Sequence, residues 1–426
     1  MINYIKDFSS STFSSLKNRN YRLYFIGQSI SLPGTWMQTI GQAWLVLKLT
    51  NSGTALGLVT ALQFLPVLIF GAMGGVIADR LPKRKILYFT QGGSGLLALI
   101  LGIIVALNIV QLWMIYVLAS LLGLINAVDN PTRRTFILEM VGSKQLRNAI
   151  TLFSTEFNLS RVIGPAIAGG IIAAFGLAPC FLINAASYVA IIICLFMMRK
   201  DELLIVEPIK RTKGQLREGL KYVRNTPLMR NVLLMMAIIG TLTYEFQVNL
   251  PLVAKFTFNG DASYFAFLNS AMGIGAVVGG LATASRKKTS VKGLIKTAIA
   301  FGIAIVIASL STTFHIALIT MVVVGVFSII FTSQGDTILQ LESEPNMRSR
   351  VVALWSVAFL GSTPIGGPII GWIGEYASPR WSLATSGIAA IIAGIFGFIT
   401  LWNYSSKKSS QEILKPAAVV EQNKVS

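Results

Sequence analysis

The chain has 426 residues, 54% of them hydrophobic and 12% charged, with a formal net charge of +19. A soluble core cannot absorb so much apolar sequence, and the charges are parted by runs of about 20 apolar residues, the length of a bilayer crossing. The basic residues also crowd into every second loop instead of forming one basic face, which excludes a nucleic-acid binder and points to a polytopic membrane protein.

Residues 1–20 read as a polar leader, and the first apolar run is too long for the core of a cleavable signal. Spans are expected at 21–47, 54–78, 86–107, 111–128, 147–175 and 178–198, giving a first six-helix bundle over 21–198. A polar linker at 199–230 follows, and six more spans near 231–254, 262–285, 293–311, 314–334, 351–375 and 380–402 form a second bundle over 231–402. Residues 403–426 have the polar composition of a disordered tail. The fold class is therefore all-α, with twelve transmembrane helices in two pseudo-symmetric bundles of six.

One loop set holds Arg19 and Arg22, the run 80–85, the stretches 133–147, 199–230 and 286–296, Arg348 with Arg350, and Lys407 with Lys408. The other set holds little beyond Lys48, Lys255 and Arg380. By the positive-inside rule the first set, with both termini, faces the cytoplasm. In the linker, Leu216, Leu220 and Val223 recur at helical spacing beside Arg217, Lys221 and Arg224. That pattern suits a helix lying on anionic membrane lipid and equally a solvated linker helix.

Leu152-Phe-Ser154, Phe157, Ser160, Gly164 and Gly169 return in the same order and spacing as Leu354-Trp-Ser356, Phe359, Ser362, Gly366 and Gly371. The fifth and eleventh spans thus read as duplicates, as internally repeated transporters require. Both carry prolines and glycines, including Pro165 and Pro364, that allow close and bent helix contacts.

On the first span Gln28, Ser31, Thr35, Gln38 and Gln42 form one polar stripe, interrupted by Pro33-Gly34. Lipid cannot satisfy amides, so the stripe faces a wet cavity or a polar helix contact. The seventh span repeats the pattern with Thr241, Glu245 and Asn249. Trp36, Tyr244 and Gln247 near the same depth suit an amphiphilic cargo.

Glu156, Arg161 and Glu245 lie well inside apolar runs. Each costs on the order of 3 kcal/mol in lipid and must face protein or water. Arg161 and Glu245 fall at comparable depth and can pair across a cavity, with Glu245 as the proton-responsive group, Glu156 as its competitor and a plain structural ion pair as the alternative. Cys180 and Cys194 read as small hydrophobes, the single histidine, His315, argues against zinc, and no phosphate-binding loop or nucleophile elbow is present, so neither an enzyme nor a cofactor is expected.

The stretch at 74–85 resembles the loop signature of the major facilitator superfamily: Gly75, Asp79, Arg80, Lys83 and Arg84 match, with Pro82 where glycine is usual. Gly164-Pro165-x-x-Ala168-Gly169 is similar to that family's antiporter motif. Asn18-Arg-Asn-Tyr-Arg-Leu-Tyr24, Asp129-Asn-Pro-x-Arg133 and Gln215-Leu-Arg-Glu-Gly219 further resemble its bacterial enterobactin exporter-like and macrolide efflux-like branch. The resemblance implies a secondary transporter of the bacterial inner membrane that exports drug-like or siderophore-like amphiphiles by alternating access in exchange for protons. An importer, a lipid-moving relative and a non-transporting receptor are the alternatives. It also implies a gate on the cytoplasmic side, with Asp79 capping the eleventh span and Arg80 or Arg84 reaching Asp129.

Overall fold

The computed structural model describes residues 13–204, 215–284, 289–345 and 347–422, and among them every regular element is helical. The first twelve residues, linker positions 205–214 and the basic run 286–288 lie outside the described residues.

In chain order the helices are α1 (Arg19–Thr50), α2 (Gly53–Arg80), α3 (Lys83–Ala106), α4 (Leu112–Phe175), α5 (Ala178–Met197), the linker helix α6 (Gln215–Asn225), α7 (Pro227–Leu242), α8 (Phe246–Leu252), α9 (Ala262–Ala284), α10 (Val291–Ser309), α11 (Phe314–Glu342), α12 (Arg348–Leu360), α13 (Thr363–Tyr376) and α14 (Pro379–Gln422). Ten membrane-length apolar segments are found among them. The 64-residue α4 is far longer than one crossing and turns at Gly142, where φ is +69°, so it supplies both the fourth and the fifth. The amide-rich α1, 32 residues long, completes the expected twelve.

Sequence and structure differ in three places. The fourth and fifth spans are joined by helix on either side of a kink at Gly142 instead of by a loop. The last helix runs on to Gln422 where a disordered tail was expected after residue 402. The seventh and eleventh crossings are broken, the seventh at 243–245 with a π-helical end at Val253–Thr257, and the eleventh at 361–362. Broken helices at membrane depth persist where protein or a cavity surrounds the freed backbone.

Caps fix several helix starts. Asn18 accepts from the amides of Asn20 and Tyr21, and Ser52, Thr313 and Ser290 each cap their helices in the same way. The linker helix turns Val223 inward, leaves Arg217, Lys221, Arg224 and Leu220 exposed, and is tied down by Glu218 to Arg350 at 2.7 Å. Cys180 and Cys194 are both free thiols on α5.

The halves meet closely at the face opposite the basic loops. A Cβ at Gly53 would overlap the Gly371 carbonyl, and one at Gly57 would overlap the Gly367 carbonyl, so α2 and α13 touch backbone to backbone. Lys255 Nζ donates to the Leu47 carbonyl and to Asn51 Oδ1, both at 2.6 Å, capping the end of α1. Glu375 accepts from Ser52 Oγ at 2.6 Å and Thr54 N at 2.9 Å, capping the start of α2. Toward the basic face this seam thins, since α2 packs along α13 and scarcely along α12.

Candidate functional site

Three groups of polar side chains occupy the space between and within the bundles. The first lies inside the N-terminal half, where Asp129 pairs with Arg133 one helical turn on and accepts from Thr90 Oγ1 at 2.6 Å and Gln91 Nε2 at 2.8 Å. Arg133 in turn donates to Gln28 Oε1 at 2.7 Å. The lower end of the α1 stripe is thus a helix contact, and beside it Ser29 donates to Glu156 at 2.6 Å while the other Glu156 oxygen has no partner.

Asp129 is spoken for by these residues, and Arg84 does not reach it. Arg84 instead donates to the Leu195 and Phe196 carbonyls at the end of α5, and Lys83 pairs with Glu139 at 2.6 Å. Arg80 is exposed, Asp79 is half-buried and engaged, Gly75 is buried, and Gly74 packs its backbone against the Ala127 carbonyl. Removing Arg133 alone leaves Asp129 buried without its counter-charge, so Arg133→Ala is expected to lower stability by about 3 kcal/mol or more. Thermal unfolding in detergent checks this, with the double change of Asp129→Leu and Arg133→Met costing less than the single one.

The second group lies at mid-length of the crossings. Arg161 stands 5.7 Å from the centre of the Trp36 ring, which meets Phe157 edge-on at 5.8 Å. Tyr244 meets Phe359 edge-on at 4.9 Å and donates to the Ser328 carbonyl at 2.8 Å. Gly164 packs against Trp36 and the Pro33 carbonyl, so the Gly164-Pro165 motif seats the fifth crossing on the bend of α1.

The third group is the break in the seventh crossing. Glu245 is 1% exposed, has no ion-pair partner among the described residues, and has Thr363 at the start of α13 as the polar group beside its carboxylate. Its Oε1 lies only 2.9 Å from where a Cβ on Gly366 would stand, and Oε2 only 3.5 Å from one on Gly367, so glycines at the start of α13 make room for the carboxylate. The expected pairing of Arg161 with Glu245 is not made. Equal depth along two helices does not fix rotation: Arg161 turns to Trp36, and the break turns Glu245 to α13.

Thr35, Gln38, Gln42, Thr60, Asn126 and Gln247 line a cavity of about 70 Å³. That is room for roughly five waters and well short of a pocket for a drug-sized molecule. Asn184 fixes Gln38 by donating to it at 2.6 Å. Two expected cavity residues are structural instead. Asn249 is fully buried and bonded to Ser386 at 2.9 Å and Ser382 at 2.7 Å, while Thr241 bonds its own helix and presents its carbonyl to Gly366. Sequence reasoning missed Thr90, Gln91 and Asn184 as members of the site, although each is an amide or hydroxyl in an otherwise apolar run. Among the described residues no group of three His, Cys, Asp or Glu side chains is placed to hold a metal ion.

Residues 10–424 match the transmembrane secretion effector family. Among curated proteins the chain is 25% identical to the staphyloferrin A transporter of Staphylococcus aureus (strain NCTC 8325), over 88% of this chain and 95% of that protein. It is 23% identical to the enterobactin exporter EntS of Shigella flexneri, over 89% and 91%. Among solved structures, a bacterial homologue of the lysosomal transporter Spinster in an inward-facing conformation superposes with a TM-score of 0.70 at 14% identity, covering 89% of this chain and 96% of that one. The nucleoside transporter NupG does so with a TM-score of 0.67 at 13% identity, over 92% and 98%. These two likenesses concern the fold.

Proposed function

Since this chain belongs to the transmembrane secretion effector family of major facilitator transporters, we propose that it exports amphiphilic, siderophore-like molecules across the bacterial inner membrane by alternating access in exchange for protons. The observation that carries this reading is the asymmetry of the seam, sealed by α2 against α13 at one face and thinning toward the basic face. A transporter caught with one side shut needs that arrangement.

The basic loops mark the side where it thins as cytoplasmic by the positive-inside rule. Cargo enters there from the cytoplasm and leaves when the seam of α2 and α13 parts. The siderophore class is supported by the names of the relatives, one a staphyloferrin A transporter and another an enterobactin exporter. Glu245 is assigned the coupling proton. A charge held at that depth with no counter-charge is costly, and reshaping the seam around it changes what surrounds the carboxylate during the cycle.

Topology and direction are tested together. In a background lacking Cys180 and Cys194, single cysteines at Thr289 and Asn259 are expected to label from the cytoplasmic and the outer side, respectively. Inverted membrane vesicles are expected to accumulate labelled siderophore when energised and to lose it when nigericin collapses the pH gradient. Labelling of both cysteines from outside, or accumulation only in right-side-out vesicles, contradicts the reading.

A further inference from the structure

Arg161 is a guanidinium at mid-membrane depth with no acid beside it. Its Nε is buried without a hydrogen-bond partner, and among the described residues no hydrogen bond or ion pair to Arg161 is formed. Neither nearby carboxylate is turned to it: Glu156 accepts from Ser29, and Glu245 lies against Gly366 and Gly367 at the start of α13. The guanidinium is half-buried with aromatic rings and no acid beside it, and a charge held that way at membrane depth is costly, so folding alone gives little reason to bear it.

The internal repeat sharpens the point. The register that aligns Gly164 with Gly366 aligns Arg161 with Thr363, so the matching position of the second half, just past the break of the eleventh crossing, carries no charge. What surrounds the guanidinium is aromatic: Trp36 under its face, Phe157 against Trp36, and Tyr244 with Phe359 across the seam between the halves. Arginine presents planar donors that fit an oxyanion, and a flanking aromatic wall holds the apolar body of the same molecule.

We propose that Arg161 is the oxyanion-recognition residue of the cargo site, taking a carboxylate or an ionised catechol of the substrate while Trp36, Phe157, Tyr244 and Phe359 pack its apolar part. This rests on the transporter reading above and narrows its substrate class to anionic amphiphiles. Cationic drug-like molecules are excluded by the same charge. The site lies at the seam, so a bound anion bridges Arg161 of the first half to the aromatic face of the second and is handled by both during the rocking motion.

The test uses purified full-length protein in nanodiscs and four probes: a hydroxycarboxylate siderophore, its methyl ester, a catecholate siderophore and its O-methyl ether. Wild type is expected to prefer at least one free oxyanion over its capped form on the order of tenfold or more, the worth of one hydrogen-bonded charge contact. Arg161→Gln is expected to bring that ratio to about one while still binding the capped form, which also shows that the variant is folded. Whether the carboxylate or the catecholate pair shows the ratio identifies which oxyanion is recognised.

Should Arg161→Gln fail to fold, Arg161→Lys carries the test, because it keeps the charge but loses the planar fork and is expected to retain only part of the preference. An undiminished preference in Arg161→Gln, or in Arg161→Lys where the former does not fold, overturns the proposal. Equal wild-type binding of free and capped probes overturns it too while leaving the transporter reading standing. Failure of wild type to bind or transport any of the four overturns both.

Discussion

Replacing Gly57 with valine is expected to hold the two halves apart at the face opposite the basic loops and to slow transport by an order of magnitude or more. A side chain at position 57 meets the Gly367 carbonyl and the Pro368 Cα, which are backbone and cannot swing aside. Overpacking of this kind costs about 1–3 kcal/mol, enough to shift a two-state balance by roughly 5- to 150-fold. The state that loses is the one with this seam shut, so the outward-open form gains.

Spin labels at Asn108 and Asn259, on loops of the two halves at the sealed face, are expected to show a longer mean distance in Gly57→Val than in wild type. Gly371→Val acts in the same direction through the Gly53 carbonyl. Gly71→Val is the control, because a Cβ there meets nothing within 4 Å. Removing the capping groups with Lys255→Met and Glu375→Gln is expected to add a smaller opening, since exposed helix-end contacts contribute less than backbone overlap. Unchanged distances in all of these variants would place the seal elsewhere.

The second large effect is expected from Glu245→Gln. A one-unit pH gradient stores about 1.4 kcal/mol per proton, which can sustain about tenfold accumulation of a substrate exchanged one for one. Glutamine keeps the shape of Glu245 and fits the same glycine-lined space, but it cannot take up or release a proton. Accumulation driven by a pH gradient is therefore expected to fall to the equilibrium ratio, while exchange of labelled for unlabelled substrate continues. Glu156→Gln is expected to retain pH-driven accumulation, because Glu156 is held within the N-terminal half by Ser29 and does not sit on the moving seam. Full accumulation in Glu245→Gln with loss in Glu156→Gln reassigns the proton to Glu156, and full accumulation in both removes it from either.

The sequence made the architecture legible because lipid imposes one rule on every crossing. Runs of apolar residues had to be helices, and the repeat from Leu152 to Gly169 and from Leu354 to Gly371 exposed the two halves. Arg161 and Glu245 stood out for the same reason, as charges where charge is expensive.

Rotation about the helix axis was harder to read. Counting rise per residue put Arg161 and Glu245 level, but the break at 243–245 contains neither glycine nor proline and gave no warning that Glu245 turns toward α13. The tie between Asp129 and Arg133 follows from their spacing of four, whereas Thr90 and Gln91 join it from another helix, which no spacing within one helix reveals. Asn249 shares the period of Glu245 yet faces Ser382 and Ser386, because the helix is reset between the two.

Proton exchange is the central claim, and it is tested most directly by making substrate the only driving force. Proteoliposomes containing the wild-type protein and a trapped pH-sensitive dye receive a siderophore gradient with no imposed pH gradient and with the membrane potential clamped by valinomycin and potassium. Substrate moving into the lumen is expected to drive protons out and raise the lumenal pH, and the same substrate gradient across Glu245→Gln vesicles is expected to leave lumenal pH unchanged. Net siderophore entry through the wild-type protein with no change in lumenal pH would contradict the account.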